Sequence, residues 1–280
     1  MKKNDVNPIS KMNRRDFLKT SSAAGVSLMF SGSSWAQKFS SPEYQKRYAI
    51  VGVGSRSRMY QQAIQQDYKA YAQLVGLCDV NRGRLQLAQQ RSREYLGTEP
   101  QIYDAGQFDK MIGDTKPEVV IVTTVDGFHH QYIMRAMELG CDVMSEKPLT
   151  IDATKCQSII DMENKTGRKC RVTFNYRYSP PRTQLKDLLM SGVIGDILSV
   201  DFHWMLNTHH GTDYFRRWHS QKKFSGGLMV HKASHHFDLV NWWLSAIPVS
   251  VKATGKREFY TPAMARRFGL ENYHERCHTC

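Results

Sequence analysis

The sequence predicts an α/β protein whose amino-terminal part is a parallel β-sheet with helices on both faces. From Tyr48 onward, short apolar runs alternate with segments of helical periodicity. Four of these runs are strand-like: YAIVGVG, QLVGLCD, EVVIVTT and DVMSEK. Parallel strands need crossover connections, and helices that make them cover both faces of the sheet.

Residues 1–36 are predicted to be an export signal that precedes this fold. The segment begins with basic residues, contains NRRDFLKT at Asn13–Thr20, and ends in small residues, with cleavage predicted after Ala36. Arg14 and Arg15, followed by apolar residues, resemble a twin-arginine signal. The apolar stretch is shorter than the roughly 18–20 residues that span a bilayer. We therefore expect a periplasmic protein, exported in folded form and without stable membrane insertion.

Charge and cysteine content narrow the function classes. Removal of residues 1–36 lowers the formal net charge from +13 to +9. The remaining basic residues are spread along the chain, which argues against nucleic-acid binding. Six cysteines are too few for a disulfide scaffold at this length. Cys277 and Cys280 form a C-x-x-C that fits a disulfide or a metal knuckle, and with two ligands the metal is the weaker hypothesis.

The first turn, GVGSRS, has a dinucleotide-binding pattern. Gly52 and Gly54 match the first two glycines of G-x-G-x-x-G, and Ser57 takes the third place. Such glycines let the backbone approach a pyrophosphate, and a small third residue preserves close helix packing. Ser55 and Arg56 complete the predicted cofactor loop. The motif alone is weak, since turn glycines with no role in binding are the alternative.

Asp79 strengthens the prediction of a nucleotide cofactor. It closes the next strand 27 positions after Gly52, where an acidic residue meets the adenosine ribose. A carboxylate there repels a 2'-phosphate, so NAD is favoured as cofactor. Arg56 and Arg82 are nearby cations that keep NADP as the minority alternative.

SEKPLT at Ser145–Thr150 makes a family resemblance specific. This E-K-P tripeptide is preceded by TTVDGFHH and followed by TFNYRYSP. The combination resembles the Gfo/Idh/MocA family of oxidoreductases, named for glucose-fructose oxidoreductase and inositol dehydrogenase. The resemblance implies an NAD(P)-binding Rossmann domain at 46–177. It also implies an α/β substrate domain at 178–280, built on an open, largely antiparallel sheet that looks truncated at its carboxyl end.

The resemblance also implies roles for residues of the Rossmann half. Lys147 takes the place of the family's catalytic lysine. Glu146 and Thr123 are implied to lie against the cofactor, and His129 and Asn175 to border the nicotinamide pocket.

A histidine-rich segment, SGGLMVHKASHHFDL, resembles the family's catalytic helix. His231 and His235 are four residues apart on one helical face, which fits either a metal site or proton transfer. By resemblance, His235 takes the catalytic histidine position, while His231 stands where Asp is usual. No third ligand is evident, so we predict no metal. His236 points to another face and is predicted to be structural.

These residues suggest a reaction on a secondary alcohol, in which a hydroxyl proton leaves as hydride passes to the nicotinamide. We assign His235 as acid/base and Lys147 as the group that hydrogen-bonds the oxygen. His231 is predicted to orient the substrate or to share the proton transfer. Flat aromatic and hydrogen-bonding side chains suit a sugar. The predicted substrate-binding residues are Arg177, Tyr178 and Trp218.

The primary hypothesis is a nicotinamide-dependent oxidoreductase that acts on a secondary hydroxyl of a sugar, polyol or glycoside. An exported enzyme meets little free NAD, so we expect a retained cofactor. The first alternative is an NAD-dependent glycosidase that works by transient oxidation and elimination. The second is a non-enzymatic sugar-binding or vestigial protein. A homo-oligomer formed through the substrate-domain sheet is a further expectation.

Overall fold

The computed structural model describes residues 44–270, so the predicted export signal and the C-x-x-C motif lie outside the described residues. Six strands form one sheet in the order β3-β2-β1-β4-β5-β6, and every pairing is parallel. The strands are β1 (Lys46–Val51), β2 (Ala72–Asp79), β3 (Gln101–Asp104), β4 (Val119–Val122), β5 (Asp142–Glu146) and β6 (Cys170–Thr173). The predicted parallel sheet is therefore present, with a strand order typical of nucleotide-binding folds.

Five helices connect the strands. They are α1 (Ser57–Gln62), which continues as a π-helical turn, α2 (Arg82–Leu96), α3 (Phe108–Thr115), α4 (His129–Glu138) and α5 (Ala153–Thr166). The two longest begin at side-chain caps: Asn81 accepts from the Arg84 amide at 3.0 Å, and Asp152 accepts from the Lys155 amide at 2.9 Å. Both end at a glycine in the left-handed conformation. Local sequence thus defines where α2 and α5 start and stop.

The hydrophobic core fills both faces of the sheet. Strand β4 reads VVIV and is buried throughout. Val120 and Val122 pack into one apolar cluster, while Ile121 packs into the cluster on the opposite face. Alternation of this kind is expected of a strand buried on both sides. Because all the strands are parallel, their carboxyl ends meet at one edge of the sheet, where the loops that follow them are accessible.

The chain after β6 is helical and irregular. Its helices are α6 (Pro180–Met190), α7 (Thr208–Gly211), α8 (Lys222–Ser225), α9 (Leu228–His231), α10 (Ser234–Leu244) and α11 (Pro262–Arg267). No strand forms between residues 174 and 270, so the predicted antiparallel sheet is absent from the described part of the chain. The strand-like segments SVDFHW and PVSVKATGK have no hydrogen-bonded neighbour there, and a strand needs a paired backbone to form.

Among the described residues, no helix combines the length and the apolarity that a membrane crossing requires.

Candidate active site

A cleft of about 1070 Å³ opens at the carboxyl edge of the sheet. One wall is made by the loops that follow β1, β2, β4 and β5, and the other by the segment from α7 to α10. Ligands of open parallel sheets bind at this edge. The predicted residues that line the cleft are Gly52, Gly54, Ser55, Arg56, Asp79, Thr123, His129, Glu146, Lys147, Trp218, His231 and His235.

The glycine loop after β1 has the shape that a dinucleotide needs. Gly52 has a φ of +91°, and a Cβ there would lie 2.5 Å from the Thr124 backbone nitrogen, so a larger residue does not fit. No described atom lies within 4 Å of a Cβ built on Gly54, which leaves open space over the loop. Ser57 is fully buried and donates to the Gly54 carbonyl at 2.8 Å. The small third residue therefore packs α1 against the loop.

Asp79 lines this cleft at the end of β2. Its carboxylate accepts from the Val53 amide at 2.5 Å and from the Asn81 amide at 2.7 Å, which holds the acid at the end of β2. Arg82, one of the cations that favoured NADP, pairs instead with Asp104 at 3.2 Å and does not line the cleft. Arg56, the other cation, does line the cleft and lies 3.6 Å from Glu146. The buried Asp79 carboxylate fits NAD better than NADP.

Lys147 is positioned by the end of β5. The side chain is 8% exposed, and Nζ donates to the His231 carbonyl at 2.6 Å. Burial lowers the pKa of this amine to about 8, although Asp126 and Glu146 favour its charged form. Glu146 is itself buried and accepts from the Tyr60 hydroxyl at 2.9 Å. At neutral pH the cleft therefore holds an ammonium group that can donate to a substrate oxygen.

His235 lies beside Lys147 as a neutral imidazole. Its ring stacks on Tyr176, with centroids 3.9 Å apart and planes 8° from parallel. Burial, together with Lys147 and Lys232, lowers the pKa of His235 to about 3. Nδ1 is buried with no hydrogen-bond partner among the described residues. A neutral ring of this kind can accept a proton, as the acid/base role requires.

His231 contacts a carboxylate that sequence analysis did not identify. Its Nδ1 lies 2.5 Å from Oδ2 of Asp126, in the short 3₁₀ turn between β4 and α4. Burial raises the pKa of Asp126 to about 7, although His129 and Lys147 oppose this shift. Burial and the charge of Lys147 lower the pKa of His231 to about 3. One feature of the sequence could have pointed to Asp126: it lies in TTVDGFHH, shortly after the central strand β4.

His129 and Thr123 hold the loops that form the cleft. The His129 ring nitrogens lie 3.0 Å from the Pro148 carbonyl and 3.1 Å from the Thr124 carbonyl. Thr123 donates to the Gly52 carbonyl at 2.5 Å. Both residues line the cleft, and their polar atoms connect the loops that follow β1, β4 and β5.

Three predicted site residues do not line the cleft, and their roles stay predictions. Asn175 is exposed, Tyr178 is 76% exposed, and Arg177 pairs with Asp238 at 2.8 Å. All three belong to the 3₁₀ turn at Asn175–Tyr178, whose tight pitch sends neighbouring side chains in different directions. From this turn, Tyr176 reaches the cleft and stacks on His235.

Other lining residues also escaped sequence analysis. Lys232 is buried and donates to the Tyr176 hydroxyl at 2.9 Å. His219 stacks on Trp218 with centroids 3.9 Å apart, and burial lowers its pKa to about 4. Trp218 in turn stands perpendicular to the His231 ring at 5.4 Å. The Lys232–Tyr176 and Trp218–His231 contacts join separate segments, so no local sequence pattern predicts them. Within residues 44–270, no group of three or more His, Cys, Asp or Glu could hold a metal ion.

Two sequence models of one family match the chain in order. Residues 46–174 match the NAD-binding Rossmann fold of the Gfo/Idh/MocA oxidoreductase family. Residues 186–272 match the C-terminal α/β domain of the same family.

Curated relatives belong to several activity classes. The Bacillus subtilis (strain 168) protein YteT, named as a candidate oxidoreductase, is 36% identical over 218 residues, or 78% of this chain and 50% of YteT. An inositol 2-dehydrogenase/D-chiro-inositol 3-dehydrogenase of Lactiplantibacillus plantarum is 27% identical, covering 70% of this chain and 51% of that protein. A glycosyl hydrolase family 109 protein of Akkermansia muciniphila is 26% identical, covering 69% and 42%. The chain spans about half the length of the curated relatives it matches.

Solved structures share the fold. The WlbA dehydrogenase of Chromobacterium violaceum, in complex with NADH and UDP-GlcNAcA, aligns with a TM-score of 0.61 at 25% identity, covering 71% of this chain and 55% of that one. The Bordetella pertussis WlbA, also with NADH, aligns with a TM-score of 0.61 at 23% identity, covering 71% and 58%, and supports the fold alone. The prediction of an NAD cofactor is confirmed by the match of residues 46–174 to the family's NAD-binding Rossmann fold. Because both family domains match in their expected order, the chain belongs to the Gfo/Idh/MocA family of NAD-binding oxidoreductases.

Proposed function

We propose that this chain carries an oxidoreductase site that acts on a secondary hydroxyl of a sugar, polyol or glycoside. The observation that carries the proposal is the buried Lys147 ammonium, which shares one cleft with the neutral imidazoles of His231 and His235. Alcohol oxidation needs a donor that stabilises negative charge on oxygen and a base that accepts the hydroxyl proton. The cleft provides both within the nucleotide-binding fold.

The cofactor residues divide along the cleft. Gly54 offers the open backbone that a pyrophosphate needs, next to the tight turn at Gly52, and Asp79 offers an acceptor for ribose hydroxyls. Thr123 and Glu146 line the end of the cleft next to Lys147. NAD, when bound, supplies the acceptor for a hydride.

The protein's own groups then act on the substrate oxygen. With a pKa of about 8, Lys147 is protonated at neutral pH and donates a hydrogen bond to the hydroxyl, which stabilises alkoxide character. One of the two neutral histidines takes the hydroxyl proton. The flat face of Trp218 and the polar rings around it suit a sugar or cyclitol ring. Relatives named inositol 2-dehydrogenase and D-glucoside 3-dehydrogenase support this substrate class.

Export by the twin-arginine route, followed by cleavage after Ala36, is part of the proposal and rests on the sequence of residues 1–36. An enzyme outside the cytoplasm needs a cofactor that it retains through the catalytic cycle. The antiparallel substrate-domain sheet and an oligomer built on it also stay predictions. Of these two, the sheet has one further line of support, the match of residues 186–272 to the family's C-terminal α/β domain.

The second candidate function is an NAD-dependent glycosidase that oxidises the sugar transiently, eliminates the aglycone and reduces the product. Two glycosyl hydrolase family 109 proteins, 26% and 27% identical to this chain, favour it. The same Lys147 and histidine groups would serve this reaction.

A cofactor and turnover assay tests the proposal. Protein purified after export is denatured, and the supernatant is assayed for NAD and NADP. Fresh protein is then incubated with free sugars, inositols and aryl glycosides. The proposal expects bound NAD that is reduced by a free sugar or polyol and stays reduced. Aglycone release without net NADH would support the glycosidase instead, and protein that contains no nicotinamide would contradict cofactor retention.

A further inference from the structure

We propose that Asp126 and His231 form the proton-accepting pair of this site, with His231 as the catalytic base and Asp126 as the residue that positions its ring. The inference rests on the proposed function and deepens it, because it selects one of the two histidines and adds a carboxylate.

The contact between the two side chains carries the argument. His231 Nδ1 lies 2.5 Å from Asp126 Oδ2, and the side chains are 13% and 5% exposed. A carboxylate at Nδ1 holds the ring proton there, which leaves Nε2 as a free acceptor. No described group hydrogen-bonds to Nε2, and this nitrogen is not among the buried unpartnered atoms, so it is open to the cleft that His231 lines.

The fold brings the pair together through a close backbone approach. Asp126 precedes Gly127, and a Cβ on Gly127 would lie 3.1 Å from the Lys223 carbonyl of α8. The absence of a side chain there lets α8 and α9 approach the turn after β4. His231 is also held at its backbone, where its carbonyl accepts from Lys147 Nζ at 2.6 Å. The proposed donor, Lys147, and the proposed base, His231, are thus joined by a hydrogen bond.

His235 lacks comparable support. Its Nδ1 is buried without a hydrogen-bond partner among the described residues, and its ring is held by stacking on Tyr176. No group in the described chain fixes which ring nitrogen carries its proton. Stacking positions the His235 ring as part of the cleft wall, whereas His231 has the carboxylate that a base needs when it becomes charged.

Proton and electron balance follow from this arrangement. The hydroxyl proton moves to Nε2 of His231, and the Nδ1 proton stays in the hydrogen bond to Asp126. The electron pair of the O–H bond forms the second carbon–oxygen bond of the ketone, while the C–H bond breaks and its electron pair leaves as hydride to oxidised nicotinamide. The imidazolium formed is stabilised by the ionised Asp126 carboxylate.

The Asp126–His231 pair should also make the activity depend on pH. When Asp126 is protonated it donates to Nδ1, the ring proton moves to Nε2, and the base is blocked. Burial raises the Asp126 pKa to about 7, so activity should fall as pH decreases through that value. The charged and titratable groups that face the pair are Arg56, His129, Glu146, Lys147, Tyr214, His219 and Lys232. Burial lowers the pKa of His231, as do Lys147, Lys232 and Arg56 among these groups, so its ring is neutral before it accepts the substrate proton.

A direct test reads the tautomer of His231 without turnover. Full-length protein with isotope-labelled histidine is studied by NMR, and the His231 signals are assigned with His231→Gln. The proposal expects the Nδ1–H tautomer above neutral pH and its conversion to the Nε2–H tautomer in Asp126→Ala. An Nε2–H tautomer in the wild type, or a His231 spectrum unaffected by Asp126→Ala, would overturn the proposal.

Kinetics supply the second arm, with NAD and a free sugar or inositol that the wild type oxidises. Asp126→Asn should lower kcat by ~10²- to 10⁴-fold with little change in KM, and should abolish the acidic limb near pH 7. Asp238→Asn removes another buried carboxylate outside the cleft and should leave that limb in place. A limb that survives in Asp126→Asn and disappears in His235→Gln would overturn the proposal. If the wild type oxidises no compound tested, the proposed function fails, while the NMR result still decides the pair.

Discussion

Lys147 is the residue on which the proposed chemistry depends most. It follows β5 directly, and its Nζ donates to the His231 carbonyl at 2.6 Å. Its place in the site was predicted from the E-K-P tripeptide, which is a local sequence motif. The groups around it were harder to foresee. Asp126, Tyr176 and Lys232 reach the cleft from separate loops, and only the packed chain brings them together.

Lys147→Ala should lower turnover by ~10²- to 10³-fold, because it removes the donor that stabilises charge on the substrate oxygen. Bound NAD should remain, since the glycine loop and Asp79 are unchanged. In the wild type, the rate should also fall as pH rises above about 8, where the Lys147 pKa lies. Steady-state kinetics across pH check this, with Lys155→Ala on exposed α5 as control. Full activity of Lys147→Ala would remove the basis of the proposed function.

Gly52 and Gly54 give a matched pair for the cofactor loop. Gly52→Ala places a Cβ 2.5 Å from the Thr124 nitrogen at a φ of +91°, so it should cost ~1–3 kcal/mol of unfolding free energy and weaken NAD binding. Gly54→Ala meets no described atom within 4 Å, so stability should change by less than ~0.5 kcal/mol while NAD affinity falls. Denaturant unfolding and NAD titration separate the two effects. Equal NAD affinity in Gly54→Ala and wild type would contradict the position assigned to the pyrophosphate.

At the scale of elements, apolar runs predicted β1, β2, β4 and β5 but not the two edge strands. Strands β3 and β6 read QIYD and CRVT, and four residues of mixed polarity have no periodicity that sequence can reveal. The substrate-domain sheet was predicted from resemblance, and none of its strands forms in the described chain. Strands pair through distant partners, whereas helices such as α2 and α5 carry their own caps and hydrogen bonds.

The 3₁₀ turn at Asn175–Tyr178 is tied to α10 by the Arg177–Asp238 ion pair. Arg177→Ala leaves the Asp238 carboxylate buried without its partner, which should cost ~1–3 kcal/mol of unfolding free energy. Because Arg177 lies outside the cleft, KM for a sugar should stay within a few-fold of wild type. Thermal unfolding and kinetics of the same variant decide the point. A raised KM with unchanged stability would restore the substrate role that sequence analysis assigned to Arg177.

At the scale of the whole molecule, the buried imidazoles should set the response of stability to acid. The pKa values of His219, His231 and His235 lie at about 4, 3 and 3, below the ordinary 6.5. Unfolding lets each ring bind a proton, so the unfolding free energy should decrease as pH falls from about 6.5 toward 4. Asp126 has a raised pKa, so its protonation should increase the unfolding free energy as pH falls over this range. The three histidines together should have the larger effect.

Calorimetry between those pH values checks the expected loss of stability. His235→Phe should flatten the dependence, since it removes one of the three rings, whereas His203→Gln changes an exposed side chain and should not. A melting temperature that rises on acidification would show that these histidines are already charged in the folded protein.

The central claim is that this cleft moves hydrogen from a carbinol carbon to the nicotinamide. The most direct test incubates the protein with NAD and sugars or inositols deuterated at their carbinol carbons, and measures deuterium in the nicotinamide by mass spectrometry. The account predicts label transfer in the wild type and a loss of transfer in Lys147→Ala, at equal cofactor content. Absence of label with every compound, in protein that binds NAD, would contradict the account.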